Sequence, residues 1–265
     1  MNTTRRTAIV AGLTSLGAAS VGASSLAGCA QDSGEGDDAL TKVYVLGAIH
    51  RRHRTSERYS LDILRGAIRK AQPDLVLTEI PPDRIAEARR SFAETGEVTE
   101  SRTRAFPELT DVVFPLSAEM GFRMVATAGW TQEIADNRRR ALAAIEADPA
   151  RAPQWAEHRQ ARADFSAALK GRGDDPRFLH SEEYDALVEA AQTPYQTYFD
   201  GDLGPGGWTQ INAAHTGLIG EALDVVSGQG LTVLILFGAF HKYLIRRSVL
   251  LRDDVQLLDA AQLFV

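Results

Sequence analysis

The sequence predicts an α/β fold in which a mainly parallel central sheet is flanked by helices, with a helical insertion acting as a lid. Three observations lead there. Short apolar runs alternate with amphipathic segments from Val43 to Ala93, the pattern of a βαβ unit, whose crossover makes its strands parallel. The strand-like runs are apolar at consecutive positions, as strands buried on both faces are. Two of these runs, Tyr44 to His50 and Ile235 to His241, end alike in Gly-Ala-apolar-His.

The elements follow in order. Val43-Tyr44-Val45-Leu46 reads as the first strand. Ser60 to Ala71 has helical spacing, with Leu61, Leu64, Ala67 and Ile68 on one face, and Pro73-Asp74 ends it. Leu75-Val76-Leu77 is a second buried strand that runs into Thr78-Glu79. Asp83 to Ala93 is the next amphipathic helix, with Asp83 placed to cap it. Leu109 to Met120 leads into a third strand at Arg123-Met124-Val125-Ala126. Helices are then expected over Thr131 to Ala147, Pro153 to Leu169 and Glu182 to Phe199, broken by Gly- and Pro-rich stretches; these form the insertion. Trp208 to Val226 is another helix. Leu231 to Phe237 is the most apolar strand, a helix follows it to Leu251, and Val255-Gln256-Leu257-Leu258 is the last strand.

Ahead of this domain stands an export signal. Arg5 and Arg6 are followed by an uncharged stretch from Ala8 to Ala27, then by Leu26-Ala27-Gly28-Cys29. Small residues before a cysteine fit lipoprotein processing, with Cys29 as the lipid attachment point. Thr4-Arg5-Arg6-Thr7 resembles a twin-arginine signal, although Ala8 stands where a large apolar residue is usual. The expected organisation is a cleaved signal over 1–28, a flexible tether over 29–40 and a single domain over 41–265, with the insertion at about 131–200. The protein is expected outside the cytoplasm, attached to a membrane of the cell envelope by its lipid.

Cys29 is the only cysteine, so the domain has no thiol for a disulfide, a metal site or a nucleophile. The net charge is -6, and loss of Arg5 and Arg6 with the signal makes it more negative. That argues against nucleic acid as a partner. The clusters Arg51, Arg52 and Arg54, then Arg138, Arg139 and Arg140, then Arg246 and Arg247 read as solvated faces.

The chemistry is expected at the strand ends. In a parallel sheet the carboxyl ends of all strands share one edge, where ligands bind. His50, Glu79 and His241 each follow a buried strand and so meet there. Gly47 and Gly238 permit the sharp exit and close approach. Any one of these residues alone is more often structural; the repeated pattern is what points to a site. Two imidazoles and a carboxylate suit a divalent-metal centre that activates water, or metal-free acid–base chemistry. His215 shares an apolar helix face with Trp208, Ile211, Leu218 and Ile219, where it is either a satisfied core residue or a third imidazole over the site. His53, His158 and His180 lie in charged stretches and are expected to be exposed. The zinc motif H-E-x-x-H, the nucleophile elbow G-x-S-x-G, a Walker A loop and a Rossmann glycine fingerprint do not occur.

Val45 to Arg84 and Leu234 to Leu251 resemble the TraB/Tiki/GumN superfamily, with erythromycin esterases and ChaN-like haem-binding lipoproteins as distant relatives. The residues that carry the resemblance are Gly47 and His50, then Pro73, Asp74, Val76 and Glu79 with Arg84 beyond, and finally Gly238 and His241. Asn212 fits a helix pattern of the family, whose Arg and Met are replaced here, and Pro81 stands where the family has Asp. The resemblance implies a hydrolase, first of all a metal-dependent, peptidase-like one, with a metal-free esterase-like enzyme as the alternative. In its peptidase form His50, Glu79 and His241 bind Mn²⁺ or Co²⁺. In its esterase form His50 is the base, Glu79 orients or shares its proton, and His241 stabilises developing charge. Gly47, Arg84, Asn212, His215 and Gly238 would support these residues. A different class is also implied: a haem- or ligand-binding surface lipoprotein, with Tyr195, Tyr198 and Trp208 beside the group, or a protein that sequesters a peptide signal. The expected ligand is a peptide or small molecule.

Overall fold

The computed structural model describes residues 39–265; Cys29, the expected export signal and most of the expected tether lie outside them. Five strands form one all-parallel sheet: β1 (Thr41–Ala48), β2 (Leu75–Thr78), β3 (Arg123–Ala126), β4 (Thr232–Gly238) and β5 (Val255–Leu257), in the order β3-β2-β4-β1-β5. The α/β class and parallel sheet expected above are therefore present. Register aligns Ala48 of β1 with Gly238 of β4, and Thr78 of β2 with Leu236. The three residues that leave these strands thus emerge at one edge.

The apolar runs explain why these segments are strands. Alternate side chains of one strand face opposite sides of the sheet. On one face Leu46, Val76, Leu234 and Leu236 pack with Leu64 and Ile68 of α1 (Leu61–Ala71) and with Phe114 and Leu116 of α3 (Phe114–Met120). On the other face Val43, Val45, Leu77, Val233 and Ile235 pack with Ile219 and Leu223 of α8 (Trp208–Asp224) and with Ile245 and Val249 of α9 (Lys242–Leu250). The result is a three-layer sandwich.

Between β2 and β3, α2 (Ile85–Thr95) begins one residue later than Asp83 would set it. Arg84 is its N-cap and makes no side-chain cap bond. The helix expected from Leu109 onward opens as a π-helical turn, Glu108–Val113, before α3. The insertion comprises α4 (Gln132–Ala147), α5 (Ala152–Ala168), the short α6 (Pro176–Leu179) and α7 (Glu182–Leu203). Ile145, Tyr195, Phe199 and Leu203 give it a small core of its own. It also covers the strand ends: Phe165 of α5 meets Phe240, beyond β4, at 5.2 Å between ring centres. No helix among the described residues is long and apolar enough to cross a membrane.

Candidate active site

The strand exits place His50, Glu79 and His241 together, as expected. His50 follows β1 in a left-handed conformation, φ 51°. A non-glycine residue pays for that region in sterics, so the position of its ring is imposed by the surroundings. A Cβ at Gly238 would lie 2.6 Å from Nε2 of His50 and 3.4 Å from Oε2 of Glu79. Glycine is required there for the imidazole and carboxylate to approach the end of β4. Gly47 acts differently. Its N–H donates to Nε2 of His180 at 2.9 Å and its carbonyl accepts from the Tyr59 hydroxyl at 3.0 Å, which packs the exit of β1 rather than touching the site.

Each side chain of the trio is held by one end. Nδ1 of His50 donates to Oε1 of Glu108 at 2.6 Å, which leaves Nε2 directed toward Gly238 and Glu79. Glu79 accepts the Gly238 N–H on Oε2 at 2.7 Å, and its Oε1 lies 3.9 Å from Nε2 of His241. Asn212 donates its amide N–H to the Trp208 carbonyl at 2.7 Å, so its oxygen is the atom that meets Nδ1 of His241 at 2.7 Å. An oxygen there accepts, so Nδ1 of His241 carries the proton and Nε2 offers a lone pair. Trp208 stacks on the same imidazole at 4.8 Å.

The charge states follow from burial and neighbours. Burial pulls the His50 pKa down, but the hydrogen bond and charge of Glu108, with the charge of Glu79, overcome this and hold it above its usual value. The ring remains partly exposed, at 39 % of its side chain, so it sits at the rim. Burial raises the Glu79 pKa, against the pull of His50 and the Gly238 N–H. Burial, and then the charges of His215, His50 and Arg138, drive His241 well below its usual pKa, so it is neutral.

His215 is fully buried and packs against His241. Its ring meets His241 edge-on at 5.0 Å. Its Nδ1 accepts the Gly129 N–H at 2.8 Å, and burial lowers its pKa to about 4. The neutral ring therefore carries its proton on Nε2, which is buried without a hydrogen-bond partner. Arg84 does not join the group. It pairs with Asp83 at 3.1 Å, and its charge is felt at Glu100.

Three expectations about histidines are corrected. His53 and His180 are buried, not exposed. His53 accepts the Ile49 N–H on Nε2 at 3.0 Å and its Nδ1 meets the Tyr59 carbonyl at 2.7 Å. His180 bridges the Gly47 N–H and the Pro176 carbonyl, and burial lowers its pKa to about 3. Both brace the loop that carries His50. His158 is half-buried between Trp155 and Tyr195. The residue that the sequence did not single out is Glu108. Its signal was a carboxylate opening an apolar run, Phe106 to Phe114, where burial demands a partner.

Glu79, His50 and His241 offer donor atoms of the right kind for a divalent cation, and the second nitrogen of each imidazole is bonded as in many metal sites. As placed they do not converge on one point. Among the described residues no group of three or more His, Cys, Asp and Glu side chains is arranged to hold a metal ion. Beside His50 a cleft of about 170 Å³ is lined by Ile49, Phe165, Leu169, Tyr184 and Phe240. Larger cavities lie elsewhere, one of about 490 Å³ beside Lys242 and Arg246. No protein-family model matches the chain, and neither a curated protein nor a solved structure shows significant similarity to it.

Proposed function

We propose that the protein is a hydrolase that activates water at His50, in keeping with the resemblance to the TraB/Tiki/GumN superfamily. The observation that carries this reading is the His50–Glu108 pair: a rim imidazole, tied by Nδ1 to a buried carboxylate, with Nε2 turned toward a second carboxylate of raised pKa. Two groups whose surroundings set them apart in proton affinity can divide the work of acid and base. Neutral His50 takes the proton of an attacking water on Nε2, and the Glu108 carboxylate stabilises the imidazolium that forms. Glu79, whose protonated form burial favours, delivers a proton to the departing group. The proton held on Nε2 of His50 then returns to Glu79, toward which that nitrogen is turned, and His241, held by Asn212 and Trp208, stays neutral with its Nε2 beside Oε1 of Glu79. The unpartnered Nε2–H of His215 is a donor in reserve for negative charge that develops nearby.

The substrate class is a peptide or small ester or amide, since the cleft beside His50 is small and apolar. Mn²⁺ or Co²⁺ at the trio, haem at the rim, and sequestration of a peptide without cleavage are the competing outcomes. Export with lipid attachment at Cys29 belongs to the same proposal and places the substrate outside the cytoplasm.

The test is hydrolysis of a panel of small esters and short peptides by the full chain, with chelator, with Mn²⁺ and with Co²⁺. The expected result is activity that survives the chelator and falls about 100-fold or more in His50→Ala, the scale of a lost general base. Full activity in His50→Ala overturns the assignment. Activity only with added metal transfers the role to a cation, and a Soret band in the isolated protein transfers it to haem binding.

A further inference from the structure

A groove of about 520 Å³ is lined by Arg102, Trp130, Arg138, Arg139, Leu142 and Glu146. Its walls are extensions of the two histidine arms. Arg102 begins the segment that leads through Phe106, whose ring meets His50 at 4.9 Å, to Glu108. Trp130 lies against His215 at 6.3 Å, and His215 against His241. Arg138 stands over the Trp130 ring at 5.9 Å and donates to the Tyr195 hydroxyl at 2.8 Å.

The charge of the groove is unbalanced. Arg139 pairs with Asp136 at 3.0 Å. Among the described residues neither Arg102 nor Arg138 has a carboxylate partner within ion-pair distance. Nη1 of Arg102 is buried with no hydrogen-bond partner at all, and such atoms in folded proteins call for an explanation. Among the charged residues that line the groove, Arg139 is paired with Asp136, which leaves Arg102 and Arg138 against Glu146 alone, a surplus of one positive charge in the lining. A single carboxylate matches that surplus and the planar fork of a guanidinium; a phosphate dianion would overshoot it beside Glu146.

We propose that this groove receives a free carboxylate of the substrate through Arg102 and Arg138, with Trp130 as an aromatic wall, while the apolar part of the same molecule enters the cleft beside His50. The substrate class is then an amide or ester that joins a small apolar acyl group to an acid-bearing portion. This rests on the hydrolase reading for its catalytic half only; the binding half stands on the groove.

The experiment is calorimetric binding of N-benzoylglycine and of its neutral carboxamide to the full chain. The acid is expected to bind about ten-fold tighter than the amide, the scale of one charge-assisted hydrogen bond, and the preference should shrink as salt rises. Arg102→Gln should abolish the preference. Arg139→Glu, at a side chain 74 % exposed and so without consequence for folding, should invert it. Arg90→Gln, on an exposed part of α2, should retain it. Equal binding of acid and amide by the wild type, or an undiminished preference in both groove variants, overturns the proposal. Retained preference in a protein that hydrolyses nothing would remove the hydrolase reading and leave the groove assigned.

Discussion

Glu108 decides the proton affinity of the proposed base. Its carboxylate stabilises the protonated form of His50, so the rising limb of a rate–pH profile, which follows loss of that proton, should lie above pH 6.5. Glu108→Gln removes the charge and keeps an acceptor for Nδ1–H. The imidazole then loses what offsets its burial, its pKa falls, and the limb should move to lower pH with a reduced plateau. Profiles of kcat/KM for both proteins check this; an unmoved limb assigns the titration to another group. The residue scale is also where the sequence was least legible. His53 sits in the run Arg51-Arg52-His53-Arg54, and the charged neighbours suggested solvent. The segment is a 3-10 helix, His50–Arg54, with His53 its one buried member. A tight turn directs a single side chain inward whatever its neighbours carry. Glu108 was hidden for the opposite reason, as a lone charge whose partner lies 58 positions away.

At the scale of elements the sequence was read more fully. The inner strands β1, β2 and β4 are legible as apolar runs because a parallel strand covered on both faces has no polar side to disguise it, whereas the edge strands β3 and β5 carry the exposed Arg123 and Gln256 and are legible as short β-type segments. The order of the strands was not visible, since consecutive apolar residues carry no record of which neighbour they pair with. β4 lies between β2 and β1, and Ile235 at its middle is fully buried. Ile235→Ala leaves a void against Val45, Leu77 and α8 and should cost about 2–5 kcal/mol. The denaturant midpoint should fall by that amount divided by an unchanged slope. A loss below 1 kcal/mol would mean that α8 collapses onto the sheet. The helical insertion was legible too, but its role over the strand ends was set by Phe165, Leu169 and Tyr184, which helical spacing alone does not distinguish from a local core.

For the whole molecule, stability should depend on acid in a specific direction. His53, His180, His215 and His241 all have depressed pKa values because burial opposes their charging. The unfolded chain takes up protons at these groups as pH falls through 6.5, and the folded chain does not until about 4 at His215 and about 3 at His180. Their contribution is intact above pH 6.5 and is lost progressively below it, by about 1.4 kcal/mol per pH unit for each group still neutral in the fold. The raised Glu79 works in the opposite sense and offsets part of the loss. Melting temperatures between pH 7 and 4 should therefore fall steeply, and His215→Gln should flatten the slope by about one proton. An unchanged slope in that variant would show that His215 is protonated in the folded state.

The placement of β4 also governs the order in which the protein can be made. β1 is among the first parts of the domain to leave the ribosome, yet its partner across the register from Lys42 is Thr232. β2 depends on the same late strand. Until residues 232–238 have emerged, β1 and β2 share no neighbour, and their apolar faces wait for a strand near the end of translation. Closing so long a stretch of chain is slow. During that interval the insertion, with local helices and a core of its own, is the part equipped to gain structure first.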